Sequence, residues 1–488
     1  MPFYTPKVVN NPHIKEVDVI VTTDHREILD ALVYQNSTSF IDFWRHPPMN
    51  SHNHLMPWGA MSQICADTLR TNPLSMEDIV SQQWDLIIMD AFFTTCAYGI
   101  VHRVASTPVI LQSTTIIYPL NKRSRAIPKP ISSSYVNKIV YDVTNFWHRV
   151  DAVFFWDILD LVLEQIINHF IHSTLRGTGD RRWLASDFSL GRFERNAAFL
   201  YISSPNTIAF PSPLFHDSVP IGDVECHKLW GASAAAEMPS LPADYESFVS
   251  DPSSKGTIIA AFGHMVSWRH APREVVEAFL GAFRQLSDYR IVWQFDGDRD
   301  KMPRQHDRSD PVPNHIRLTK WLPQTALLTH SSMRVFISHG GLKSVLEGLC
   351  ARVPFVAIPI LAEQQFNSQL LTWHHKAGIA LDKNYLKANV LAQTIREVAE
   401  NQSYKAEITR LSAMTADKLI SDSSKAVFWT EFTLRHAPKF EMFKARGATM
   451  SAPVYWSLDV VGTLFVLPGT IVLILLKLAI AKFMKRCR

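Results

Sequence analysis

Only five cysteines occur in 488 residues, and no two stand in C-x-x-C spacing. That excludes a zinc ribbon and a thioredoxin-type redox pair, and it leaves disulfides permitted but not demanded. Charge lacks a bias as well. Lys and Arg number 49 against 45 Asp and Glu, a net +4, so nothing asks for a nucleic-acid partner. No G-x-S-x-G elbow occurs anywhere, which removes the esterase reading of a His-Gly-Gly run at His339. The first 19 residues, MPFYTPKVVNNPHIKEVDV, have no basic start, no apolar stretch and no cleavage site, so they do not read as a secretory leader.

The one long apolar run lies at the other end. Residues 460–476, VVGTLFVLPGTIVLILL, carry no charge and lead through LAIA into the basic ending KFMKRCR. With its flanks the run is long enough to span a bilayer, since about 20 apolar residues cover roughly 30 Å. Residues 458–481 are therefore expected to form a transmembrane helix after a membrane-proximal stretch at 441–457. The tail at 482–488, with Lys482, Lys485, Arg486 and Arg488, should face the cytosol and leave the body in the lumen. Its ending, Lys485-Arg486-Cys487-Arg488, is similar to a dibasic endoplasmic-reticulum retrieval signal. Sequons at Asn36 and Asn401 fit a lumenal body. The two ends then disagree: either the body is cytosolic and tail-anchored, or the chain as given lacks its leader.

Between the ends, short apolar runs alternate with helical patterns. VDVIVT (17–22), LIIM (86–89) and a start at Val109 read as strands. Residues 139–172 are bulky and apolar but interrupted by Asp151, Asp157, Asp160 and Glu164, which suits either core-facing helices or an amphipathic surface against membrane or acceptor. An Ala-, Ser- and Pro-rich stretch at 231–256 marks a domain boundary. After it come strands at 257–262, 289–295, 316–321, 334–338 and 355–360, with helices at 273–286, 342–351 and 390–401. Strands alternating with helices of this length predict a parallel, doubly wound α/β sheet.

In such a sheet the ligand sits at the carboxyl ends of the strands. Four unusual sequences fall there: Phe262-Gly263-His264, Trp321-Leu322-Pro323-Gln324, Ser338-His339-Gly340-Gly341 and Ala362-Glu363-Gln364. Trp321 offers a flat face for a base. The His339 loop opens a helix whose N–H groups suit a diphosphate. Glu347 suits ribose hydroxyls, and Glu363 and Gln364 suit those of a sugar. Ser344-x-x-Glu347 also fits a capping box that needs no ligand. The D-x-D within DGDRD (296–300) reads as a solvated polar loop.

Trp321-x-Pro-Gln324, His339-x-Gly341 through Ser344-x-x-Glu347, and Glu363-Gln364-x-x-Asn367 together resemble the signature of UDP-glycosyltransferases. TALLTHSSMRVFISHGGLKSVLEG, and YWSLDVVGTLFVL before the basic tail, are similar to the membrane-bound animal UDP-glucuronosyltransferases. The resemblance covers the C-terminal half strongly and the N-terminal half through WDLIIMDAFFTTCAYGIVHR. It implies the α/β GT-B fold, two Rossmann-like domains facing a cleft: an acceptor domain at 1–232, a linker at 233–256 and a UDP-sugar domain at 257–440. Carried onto this chain, Trp321 stacks on uracil and Gln324 bonds its edge. His339 meets the diphosphate with backbone help from Gly341 and Ser344. Glu347 holds ribose, and Glu363 and Gln364 hold the sugar. Gly263 and His264 lie beside the nucleotide. Two departures stand out: Glu363 where many relatives have Asp, and His264 where Ser is common.

The resemblance further implies inverting transfer from UDP-glucuronate or UDP-glucose to a hydroxyl of a small lipophilic acceptor, without a metal or other cofactor. The base in such enzymes is a His oriented by an Asp. Asp90 matches the Asp, whereas neither His13 nor His25 stands in a matching segment. The expectation is a chain lacking its first strand–helix unit together with the base. The alternative is an inactive relative that binds UDP-sugar as a regulatory subunit, in a homo- or hetero-oligomer.

Overall fold

The computed structural model describes residues 41–45, 51–71, 73–91, 95–104, 106–114, 119–127, 142, 144–150, 156–177, 183–209, 213–222, 240–263, 266–299, 302, 312–361, 363–455 and 457–486. The strand expected at 17–22, His13, His25, Asn36, Ala362 and His264 lie outside them.

Two parallel sheets organise these residues. The first pairs β1 (Ile87–Asp90), β2 (Val109–Ser113), β3 (Phe199–Ile202) and β4 (Ser218–Pro220) in sequence order. The second holds β5 (Thr257–Ala261), β6 (Arg290–Gln294), β7 (Ile316–Thr319), β8 (Met333–Ser338), β9 (Phe355–Ala357) and β10 (Gly378–Ala380), in the order β10-β9-β8-β5-β6-β7. The chain starts at the centre, winds to one edge, then returns and winds to the other. Its direction therefore reverses between β5 and β8, and a crevice opens at their carboxyl ends.

Strand β5 shows why both faces of this sheet are covered. All five of its residues are buried. Ile258 and Ala260 point into a core shared with Phe279, Phe283, Trp293 and Ile395, under the helices Arg273–Arg284 and Ala388–Glu400. Ile259 and Ala261, one residue out of phase, point into a second core with Phe336, Val345, Leu349 and Ile408. An alternating strand with no polar face must be packed on both sides. The second core also takes Tyr245 and Val249 from the helix Ala243–Val249. Part of the stretch read as a linker is therefore structure of the second domain.

The first sheet is built the same way. Met89, Leu111 and Leu200 meet Leu175, Ile171 and Ile167 on one face. The burial of Leu163, Ile167, Ile171 and Leu175, four apart on the helix Trp156–Gly177, makes that stretch a core helix. Phe146 and Trp147, in the short helix before it, are exposed. Cys65 and Cys96 form a disulfide across 5.3 Å between Cα atoms, joining the helices Ser51–Thr71 and Thr95–Arg103. The other face, with Ile110, Phe199 and Tyr201, is covered by Trp429, Phe432, Phe440 and Phe443 from far along the chain. Tyr201 donates its hydroxyl to the Ala426 carbonyl at 3.0 Å. The helix Asp422–His436 thus crosses back to the first sheet, where the sequence placed it in the second domain.

After this crossing the chain stays against the first domain. Arg195 donates to the Ala448 carbonyl at 2.8 Å, and the Tyr455 hydroxyl lies 3.5 Å from the Ala126 carbonyl. An apolar helical run, Leu458–Met484, follows with none of its length buried, long enough to cross a membrane. It ends three residues beyond the expected boundary. Its opening contains a π turn at Gly462–Val466. Pro468, which has no N–H and crowds the carbonyl of Leu464, accounts for that widening.

Candidate functional site

Two residues beyond β5, Gly263 has φ +70, a left-handed conformation that favours glycine. Gln294, the last residue of β6, fixes this turn from both sides. Its Oε1 accepts the Phe262 N–H at 3.2 Å and its Nε2 donates to the Gly263 carbonyl at 3.2 Å.

Across the switch point, β8 ends in Ser338, whose hydroxyl oxygen accepts the Gly340 N–H at 3.2 Å. Gly340 has φ +83, and its carbonyl accepts from Asn367 Nδ2 at 2.9 Å. The His339 imidazole lies between the two glycine turns. A Cβ on Gly263 would stand 3.2 Å from its Cε1, and one on Gly341 would stand 2.6 Å from its Nε2. Phe262 flanks the ring, centroid to centroid at 6.3 Å. The helix Leu342–Cys350 then starts, with Gly341 at its N-cap and no side chain capping it. Its first N–H groups stand outside the helical ladder, and the dipole favours an anion there.

Ser344 falls inside this helix and not at its cap, so the capping-box reading of Ser344 and Glu347 does not hold. Glu347 instead accepts from Gln324 Nε2, which also lies 3.4 Å from Ser344 Oγ. These three side chains, from two helices, form one polar cluster. Trp321, just beyond β7, is 62% exposed, a large flat surface left open to solvent beside that cluster.

Glu363 and Gln364 follow β9. Gln364 is buried, and its Oε1 accepts the N–H groups of Ile360 at 3.0 Å and Leu361 at 2.9 Å. That oxygen is spent on shaping the loop, which leaves Nε2 as the atom of this residue for a ligand. Asp90 ends β1 in the other sheet and accepts from Thr114 Oγ1 at 3.0 Å. The solvated reading of the D-x-D needs correction at Asp296. Its carboxylate accepts from Ser267 Oγ at 2.6 Å and from Trp268 N–H at 2.7 Å, so it ties the loop after β6 to the loop after β5. Asp298 is exposed. Among the described residues no cluster of His, Cys, Asp or Glu has a metal-binding arrangement.

The structure therefore gathers Gly263, His339, Gly341 and Ser344 around one crevice, with Gln324 and Glu347 beside it. Sequence reasoning gave no role to Gln294, Asn367 or Asp296. Asn367 stood within a quoted signature, but a buried amide cannot be told from a ligand-binding one by its letter. Gln294 carried a usable signal, a polar residue closing an otherwise apolar strand. A cradle of N–H groups beside an open indole and a carboxylate can hold an anion joined to a planar group and hydroxyls.

Comparison with known proteins gives the same direction. The family described as UDP-glucoronosyl and UDP-glucosyl transferase matches residues 13–488. A UDP-glucuronosyltransferase of Pleuronectes platessa is 28% identical over 427 residues, covering 87% of this chain and 84% of its own. UDP-glucuronosyltransferase 2B7 of Homo sapiens is 26% identical over 505 residues, covering 98% and 86%. Among solved structures, the kitacinnamycin glycotransferase superposes with a TM-score of 0.53 at 14% identity, covering 79% of this chain and 85% of that one. The calicheamicin glycosyltransferase CalG4 gives 0.50 at 14% identity, covering 79% and 83%. At such identities these two show the fold alone, which is GT-B.

Proposed function

The chain belongs to the UDP-glucoronosyl and UDP-glucosyl transferase family, and from that premise we propose that it moves glucuronate or glucose from UDP to a hydroxyl of a small lipophilic acceptor, with inversion. The observation that carries the donor half is the seat of His339 between Gly263 and Gly341 at the uncapped start of the helix Leu342–Cys350. Uracil stacks on Trp321 and its edge meets Gln324. Ribose hydroxyls meet Glu347. The sugar lies toward Glu363 and the Nε2 of Gln364.

In the proposed step the acceptor hydroxyl loses its proton to a general base as its oxygen attacks the anomeric carbon. The bond to the diphosphate oxygen breaks, and UDP leaves with the electron pair. Negative charge growing on the diphosphate is met by the helix N-terminus and by His339, so no step is routed through a metal. Asp90 faces the reaction from the other sheet as the carboxylate that orients the base.

We place the body in the lumen of the endoplasmic reticulum, held by the helical run Leu458–Met484. The Cys65–Cys96 disulfide supports this reading, because the lumen is oxidising and the cytosol is not. Protease added to intact microsomes should spare the body. The chemistry is tested by calorimetry with UDP, then by UDP release from UDP-glucuronate and UDP-glucose with a panel of phenolic acceptors. Binding with turnover is expected. Binding without turnover would leave a UDP-sugar-binding subunit in place of an enzyme, and no binding would overturn the reading entirely.

A further inference from the structure

Lys383 opens the short turn Lys383–Tyr385 beyond β10 and is 3% exposed. Its amine points inward and donates to two carbonyls. One belongs to Ile360, just past β9, at 2.8 Å. The other belongs to Phe43, which stands 340 residues away in sequence, in the helix Ile41–Arg45.

The Ile360 carbonyl and the Leu361 N–H are two ends of one peptide group. That N–H donates to Gln364 Oε1 at 2.9 Å. Lys383 and Gln364 therefore grip the same peptide from opposite ends. A donor on the carbonyl oxygen draws electron density from nitrogen and makes the N–H a better donor, so the two bonds strengthen each other.

The Phe43 side of this connection is firmly seated. Phe43 and Trp44 are both buried. Trp44 Nε1 donates to the Ser267 carbonyl at 3.0 Å, and its ring lies 5.1 Å from Trp268 and 6.0 Å from Phe262. Phe262 directly precedes Gly263. The helix Ile41–Arg45 thus touches the loop after β5 through Trp44 and the loop after β9 through Lys383.

An amine is poor filling for such a place. Desolvation lowers its pKa to about 7, whereas a methionine of similar length would fill the space without that cost. Its presence is explained by the two carbonyls it joins.

We propose that Lys383 is a positioning residue for the donor sugar, coupling the seating of Ile41–Arg45 to the orientation of Gln364. The proposal rests on the reading of Gln364 as a sugar contact given above. It separates UDP from UDP-sugar, because UDP lacks the part that Gln364 would hold. It is also reciprocal: a sugar that favours the held Gln364 must favour the seated helix.

The test uses the full chain with Lys383→Met and Lys383→Leu, titrated by calorimetry with UDP, UDP-glucuronate and UDP-glucose. UDP affinity should stay within about twofold of the parent while UDP-sugar affinity falls by about tenfold. Amide exchange at Ile41–Arg45 in the parent should slow with UDP-sugar and not with UDP, a readout independent of whether either variant folds. Equal losses for UDP and UDP-sugar, or exchange that ignores the sugar, would overturn the role. A parent that binds no UDP would instead bring down the donor-site reading beneath it.

Discussion

Asn367 donates its side-chain amide to the Gly340 carbonyl at 2.9 Å, from a position with no solvent exposure. Twenty-seven residues separate the two, and the bond ties the helix after β9 to the loop after β8. The anion cradle at His339 is thus held from beneath by the same segment that carries Glu363 and Gln364.

Replacing Asn367 by leucine keeps the branched side-chain shape and leaves a buried carbonyl without this donor. Such a loss costs about 1–3 kcal/mol. We expect a lower urea midpoint together with UDP affinity reduced by at least about tenfold, measured by calorimetry below the unfolding range. Full UDP affinity in the folded variant would show that the loop does not depend on this bond.

Gly340→Ala should be worse for binding than its size suggests. The residue sits at φ +83, and a Cβ there would stand 2.6 Å from Ser368 Oγ and 3.0 Å from the Gln364 carbonyl. Left-handed strain of about 1–3 kcal/mol adds to that clash. Gly59 is the internal contrast, since a Cβ there meets nothing within 4 Å and it lies inside the helix Ser51–Thr71. Gly59→Ala should raise stability by roughly 0.5–1 kcal/mol and leave UDP binding alone. Thermal melts and UDP titrations of both variants decide this.

Trp321→Ala removes an indole that is 62% exposed and packs little of the core. Its thermal stability should stay near the parent's, while UDP binding weakens by about 1–3 kcal/mol through lost stacking. Uridine should suffer the same loss as UDP, because the indole is assigned to the base. Inorganic pyrophosphate should be unaffected.

Glu194 gives a pH dependence of stability. It is buried, accepts from Asn121 Nδ2 at 3.0 Å and from Ser124 Oγ at 2.9 Å, and burial raises its pKa from 4.5 to about 7. Between those values the folded state binds the proton that the unfolded state has released, so Glu194 contributes stability that falls as pH rises from about 4.5 through 7. Glu194→Gln mimics the protonated form. Its stability relative to the parent should rise across that window by roughly 1–3 kcal/mol and then level off. Urea denaturation of both proteins at intervals from pH 4.5 to 8 checks this, and a constant difference would place the titration elsewhere.

Five of the six strands of the second sheet were legible in the sequence, because their signals are local, whereas the three-residue β10 (Gly378–Ala380) was not. Apolar runs such as TIIAA, the helical period of REVVEAFLGAFR and the glycines at 263, 340 and 341 all act within a few residues of themselves. Strand ends then followed from topology, which is why candidate donor-site residues could be proposed from the letters. Tertiary structure alone decided what each polar side chain binds. Gln364 spends its oxygen on Ile360 and Leu361, and Asp296 holds the Trp268 turn. Lys383 reaches Phe43 across 340 residues, and Trp429 returns to cover Phe199. A hydrogen bond or a ring contact between distant segments leaves no period in the chain. It exists only once the sheets have packed and brought the two partners within reach.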